Sequence, residues 1–428
     1  MTYVQNDDLA FQLEKNDHTA IIIGGDKSAT HLFIPRSINY DDQNYIITSI
    51  GRGAFKGYKK LKTITFAADS KINLFDTDSF NSSSLKTISI PDSVTKIESS
   101  TFCGCTSLRT INISQNSQLH SICGNVFNQA YVKRLFIPPT LLNLEEGWCN
   151  NIPYLISIVV SPSNHRYLFY EQNYLLERPN VKSDTFDILR FAQRDIQNAV
   201  IPSFVKTIAP FTFSYCKRLQ TIEFSKDSEL RTIGSNTFRN SGLTEITIPS
   251  KVTSIESNCF FQCKKLKTVK FSENSELRKI GDSAFESSSI KEIEIPSNVR
   301  EIGSSCFSNC SNIDSFTFKF KKNSKTCSIQ SDFINSSNLE HIVVPSNVAI
   351  IGDSFLNGLY KLKTVEFLGT EVVLNTNFFK GSWGLVIMAF PNTDKVKLMS
   401  FNIKNISPIC TIFFAPNTEF VQQVNDNN

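Results

Sequence analysis

Three cysteine pairs have spacings that suit chemistry: Cys103-Gly-Cys105, Cys259-x-x-x-Cys263 and Cys306-x-x-x-Cys310. Thiolates so placed hold zinc or exchange a disulfide. A second candidate is Glu292 with Glu294, which project from one face of a strand as i and i+2 residues and would act as a general acid and base. A third is the run IGRGAFKG, whose Gly51, Gly53 and Gly57 resemble part of a phosphate loop. Histidines 18, 31, 120, 165 and 341 show no H-x-H, H-x-x-x-H or H-E-x-x-H spacing, and no G-x-S-x-G occurs. Histidine-based metal ligation and a nucleophile elbow therefore lack their motifs.

The elements that must position these residues come from a repeat. Ile-Pro or Val-Pro dipeptides end at Pro91, Pro138, Pro202, Pro249, Pro296 and Pro345, with spacings of 47, 64, 47, 47 and 49. Within each period two subunits alternate, L-x-x-I-x-I/F and V/L-x-x-I-x-x-x-x-F, separated by turns rich in Ser, Asn, Asp and Gly. Their shared phenylalanine recurs at 55, 80, 102, 127, 213, 238, 260, 285, 307, 333 and 355, in local steps near 25 and 22. That column explains an apolar balance of Phe 35 against Trp 2 and Met 3. It also disposes of the cysteines. Cys105, Cys216, Cys263 and Cys310 each lie three residues after a column Phe, and Tyr58 and Gly358 fill the same place elsewhere. A position set by the period is a packing position, where Cys acts as a small hydrophobe. Gly51 aligns likewise with Gly234, Gly281, Gly303 and Gly352, which reads as a turn needing a small residue. No metal, cofactor or catalytic residue is expected.

A period of 22–25 residues holding L-x-x-L-x-L is a leucine-rich repeat, and stacked units close a core that no single unit could bury. Eleven good units and two degraded ones, near Trp148 and Phe379, give about thirteen. The expected fold is a leucine-rich-repeat solenoid of the α/β-solenoid class, mostly β, with terminal caps. The segments SLKTISIPDSVTKIESSTFCGCTSLRTINIS (84–114) and GLTEITIPSKVTSIESNCFFQCKKLKTVKFS (242–272) resemble the BspA-type leucine-rich repeat family, as do IGRGAFKGYKKL (50–61) and IGDSAF (280–285). The resemblance implies binding, adhesion or surface-antigen roles, with no catalytic residues to carry over, and a place at the cell surface.

Along the chain, residues 1–31 are expected to form a cap hairpin, 32–160 a first repeat block and 161–197 an irregular hairpin insert. A second repeat block follows over 198–368, then degenerate repeats and a C-terminal cap over 369–428, with one short helix at Thr418–Val424. The insert is expected to be a structural joint rather than a binding surface of exposed tyrosines. Across 428 residues, 40% apolar and 20% charged composition argues against disorder and against membrane insertion. A net charge of +4 is too small to indicate a nucleic acid partner. The acidic start at Met1, eleven cysteines and the absence of an apolar run near 18 residues suggest a cytoplasmic, reducing setting, against the surface location the family implies.

Side chains alternate across a strand, so in L-x-x-I-x-I/F the third and fifth positions face outward. Those columns collect threonines together with Glu223, Glu245, Lys270, Glu292, Glu294, His341 and Glu366, and these seven are the candidate partner-binding residues. Neighbouring like charges would repel, so the acidic members are expected to cost stability unless Lys partners or a ligand offset them. The second position carries a basic column of Lys62, Lys86, Arg109, Lys133, Lys267, Lys291 and Lys363. The expected function is non-catalytic recognition of a protein or glycan by this face, with an intracellular scaffold as the alternative.

Overall fold

The computed structural model describes residues 2–6, 8–320, 326–352, 354–369, 379, 382, 384–391 and 411–415. The helix expected at Thr418–Val424 and most of the expected C-terminal cap lie outside these residues. The chain forms two compact units, Met1–Ile196 with Pro210–Cys216, and Gln197–Ala209 with Lys217–Asn428. Both are stacks of leucine-rich repeats built from strands and turns, without a helix among the described residues.

Each repeat has three sides. One is a strand of the L-x-x-I-x-I/F segment, which stacks in parallel into a front sheet. In the first unit the front strands are His31–Ile34, Thr63–Phe66, Thr87–Ser89 and Thr110–Asn112, followed by Arg134–Ile137 paired with Ser157–Val160. In the second, Asn198–Ile201 pairs with Thr221–Phe224; Glu245–Ile248, Thr268–Phe271, Glu292–Ile295 and Ser315–Phe318 form a four-stranded sheet. His341–Val344, Thr364–Phe367, Ile387–Pro391 and Thr411–Ala415 form another. The second side is a back sheet of two-residue strands such as Lys96–Ile97 and Ser254–Ile255, also parallel. β-branched residues suit both, because they pack on a pleated, half-buried surface.

The third side is a ladder of turns carrying the Phe column. Column amides donate to the following turn, as from Phe80 to Thr101 O at 3.0 Å and from Phe260 to Ala284 O at 2.7 Å. From Phe55 to Phe307 the chain turns there through left-handed residues two before and two after the Phe, for example Asn258 (φ 57) and Gln262 (φ 56) around Phe260. Short polar side chains and glycine tolerate that conformation best, which is why these turns are rich in Asn, Ser, Asp and Gly. Inside, the rings stack: Phe80 on Phe102 at 5.6 Å, Phe238 on Phe260 at 5.1 Å, Phe260 on Phe285 at 5.0 Å and Phe285 on Phe307 at 5.2 Å. In the turn between Gly147 (φ 77) and Asn151 (φ 46) Cys149 takes the column position and Trp148, one residue earlier, is buried beside it; Phe379 is buried as well.

The strand–turn–strand expected over 9–25 is present as Leu9–Glu14 and Thr19–Gly25, antiparallel, with Thr2–Asn6 added at the edge. A hairpin of Ser37–Tyr40 and Gln43–Ile50 was not anticipated. It turns on Asp41 and Asp42, both with positive φ, as a two-residue hairpin loop requires. The insert holds three antiparallel strands, Tyr167–Tyr170, Tyr174–Glu177 and Ile188–Ala192. Its Tyr167 and Tyr174 are buried, and the Tyr167 hydroxyl accepts the Leu144 amide at 2.9 Å. Glu177, almost fully buried, pairs with both Arg166 (2.6 Å) and Arg190. Buried Arg194 donates to Cys149 O at 3.0 Å and Thr212 O at 2.6 Å. These contacts tie the insert into the first unit.

Candidate binding surface

The cysteines show how local packing removes reactivity. The Cys105, Cys263 and Cys310 thiols donate to the carbonyl of the preceding turn's column Phe, at 3.0, 2.9 and 3.0 Å to Phe80, Phe238 and Phe285. Tyr58 in the same position reaches the Gly25 carbonyl at 2.8 Å. Burial pushes the Cys105, Cys263 and Cys310 thiols up to about 11, so they stay protonated and are poor nucleophiles. Cys123, packed against the carboxylates of Glu98 (3.4 Å) and Glu145 (3.1 Å), is pushed up to about 12, first by burial and then by those acids. Among the described residues no group of three or more His, Cys, Asp or Glu is placed to hold a metal ion. The aligned glycines mark close backbone approach: a Cβ on Gly281 would lie 2.5 Å from Ser257 N.

The front sheet of the second unit is where charge gathers. Parallel register sets Glu245 opposite Thr268, Thr268 opposite Glu292 and Glu292 opposite Ser315. One row over, Thr247 lies opposite Lys270 and Glu294 opposite Thr317. Each acid therefore has a neutral neighbour on the adjoining strand. Glu294 also pairs with Lys319. The expected like-charge cost is thus largely designed out, since repulsion falls with separation and solvent screening.

Strand ends shape this face. The long connection from Phe271 to Leu277 spans 277 − 271 = 6 positions, while the Pro-containing connection from Ile295 to Val299 spans 299 − 295 = 4. The short one is a tight turn closed by Val299 N–H on Pro296 O at 3.2 Å. Long and short connections alternate, so the longer Ser272–Ser275 segment lies beside the tighter Pro296–Asn298 turn, and both line one site. The result is an open groove of about 960 Å³ running onto the sheet. Its charged lining is Lys270, Glu273, Glu292, Glu294, Arg300 and Lys319.

Of the seven candidate residues, Lys270, Glu292 and Glu294 line the groove, and Glu245 lies exposed on the same sheet. Glu223 is exposed on the separate Thr221–Phe224 pair, opposite Val200. His341 and Glu366 lie on the last sheet; His341 Nδ1 meets Thr364 Oγ1 at 2.5 Å. Glu366 is half-buried between Val343 and Ala389, and burial raises its carboxyl above the usual range. Glu273, Arg300 and Lys319 were missed by reading strands alone. They sit just beyond the strand ends, and comparing connection lengths would have pointed to them. A further refinement concerns the last apolar position: Ile248 and Ile295 are buried, but Phe224, Phe271 and Phe318, which precede long connections, are only half-buried.

The sequence profile of the BspA type leucine rich repeat region matches in six copies over residues 32–155, 187–314 and 278–407. The chain belongs to the BspA-type leucine-rich repeat family. No curated protein matches it. Among solved structures it is similar to the pneumococcal vaccine antigen PcpA, at 16% identity and TM-score 0.58, covering 97% of this chain and 98% of that one. It is also similar to a leucine rich cell surface protein from Faecalibacterium prausnitzii A2-165, at 19% identity and TM-score 0.52, covering 76% and 96%. These likenesses establish a shared fold.

Proposed function

We propose that this BspA-type chain is a non-catalytic recognition protein of the cell surface, and that the front-sheet groove of its second unit holds the partner. The observation that carries the reading is the groove itself: three residues expected from outward-facing positions converge there, with two further cations and one further acid. Paired acids and bases of both signs on a flat sheet suit a polar, mixed-charge protein surface or the hydroxyls of a glycan. Family membership and the cell surface protein from Faecalibacterium prausnitzii that shares the fold support the location. Buried, protonated thiols and scattered histidines support the absence of catalysis.

The test is E292K/E294K in the full chain, screened beside wild type on protein and glycan arrays. Ligands retained by the wild type should be lost by the variant, while the thermal transition stays nearly in place, because exposed charges contribute only about 0–1 kcal/mol. Unchanged binding in this variant, with loss on removing residues 161–197 instead, refutes the groove.

A further inference from the structure

The front sheet of the first unit has a charge pattern of its own. Its strand segments 62–66, 86–90, 109–113, 133–137 and 156–160 contain Lys62, Lys86, Arg109, Lys133 and Arg134 and no Asp or Glu. The corresponding segments of the second unit hold the acids described above. Lys62, Lys86, Arg109 and Lys133 occupy one position on four successive turns. Backbone bonds join them directly: Lys86 N–H donates to Lys62 O and Arg109 N–H to Lys86 O, both at 2.9 Å. All four side chains are exposed, and among the described residues none has an ion-pair partner. Strand stacking spaces their attachment points by about 4.8 Å, so the row gathers cations without ion-pair partners that repel one another.

Beside this line run hydroxyl and amide groups, Thr63, Thr87 and Thr110 in the next column and Thr65, Ser89 and Asn112 beyond. Where the row ends, Tyr131 and Tyr154 pack with ring centroids 4.4 Å apart and planes tilted by 32°, with the Arg109 guanidinium 4.6 Å over the Tyr131 ring. Arg109 is further held by a bond to Thr106 O at 2.7 Å.

We infer that this row binds a linear sulfated polysaccharide lying across the strands of the first unit. Evenly spaced cations select an extended chain whose charges repeat. The flanking hydroxyls and amide match sugar hydroxyls, and the exposed Tyr154 ring offers apolar surface to pyranose C–H groups. Single-stranded nucleic acid is less well served, because its bases need aromatic platforms interleaved along the cations, and here the aromatics sit at one end. The net charge of the chain is not the relevant quantity; the local field is.

Heparin dodecasaccharide is the probe, its binding to the full chain followed by calorimetry at physiological ionic strength. Lys86→Ser with Lys133→Ser should weaken binding roughly tenfold, the size of one good charge-assisted bond, and lower the salt dependence. Lys267→Ser with Lys291→Ser removes equal charge from the same column of the second unit and should leave affinity within about twofold. De-sulfated heparin should bind far more weakly than heparin, as should single-stranded DNA of matched charge. Absence of heparin binding, equal loss in the control variant, or equal binding of either comparison polymer overturns the assignment. Gln versions of both variants keep more of the aliphatic stems and carry the same comparison should a Ser version fold poorly.

Discussion

Replacing two neighbouring rings of the Phe column by leucine should cost less than the sum of the single replacements. Phe260 is fully buried and contacts Phe238 at 5.1 Å and Phe285 at 5.0 Å, with ring planes within 10° and 2°. Phe260→Leu therefore loses two ring contacts, and so does Phe285→Leu, which also faces Phe307 at 5.2 Å. The double variant loses three contacts rather than four, because the Phe260–Phe285 contact is common to both. Ring pairs contribute about 0.5–1.5 kcal/mol beyond area burial, so the coupling in a double-mutant cycle should fall in that range. Leucine is chosen over alanine, whose cavity would cost about 3–5 kcal/mol and blur the difference. Phe238 and Phe307 stand three rings apart, and their pair should be additive within about 0.5 kcal/mol. Urea unfolding followed by circular dichroism gives both cycles, provided the m-value holds constant. A coupling near zero for the adjacent pair, or an equal coupling for the distant pair, would refute the idea that stability passes ring to ring between neighbouring turns.

Glu177→Gln should destabilise the first unit by about 3–5 kcal/mol, because two partly buried arginines lose their shared carboxylate; a chemical denaturation shift below 1 kcal/mol would show that water replaces it. Iodoacetamide at mildly alkaline pH should modify Cys103 first among the described cysteines, since it alone is half-exposed. Its thiol too is raised by burial, so labelling should quicken as pH rises, while Cys105, Cys263 and Cys310, pushed up to about 11, should react only in denaturant; peptide mass mapping decides this. Gly57→Ala has open space but a φ of +74, so a loss of about 1–2 kcal/mol is expected. Gly281→Ala forces backbone apart and should cost more; equal urea midpoints would remove close approach as the reason for the aligned glycines.

The period, the Phe column and the register of Cys105, Cys263 and Cys310 were legible in sequence because a stacked fold repeats each environment at a fixed interval. What that register meant was only half legible. The thiols are small and apolar in their surroundings, as expected, yet each also satisfies a carbonyl one turn away, and such a bond leaves no trace in spacing. The Asp41-Asp42 hairpin was missed because paired aspartates signal a left-handed turn more weakly than Asn-Gly. The outward direction of Lys270, Glu292 and Glu294 followed from strand alternation. Their union with Lys319 and Arg300 did not, because it depends on which strand lies beside which and on the path of the flanking connections. The neutral neighbours of Glu245 and Glu292 belong to the same class of fact.

Alternation of six- and four-position connections constrains how such a chain can change length. Gain or loss of a 47-residue pair leaves every Phe on a Phe and every short connection flanked by long ones. Loss of a single unit would keep the Phe stack intact and yet set two long or two short connections side by side, breaking the alternation that frames the cleft. Selection for core stability alone would accept either event. Selection for an open cleft accepts only the paired one, so growth and shrinkage by recombination should proceed in twos wherever the cleft is used.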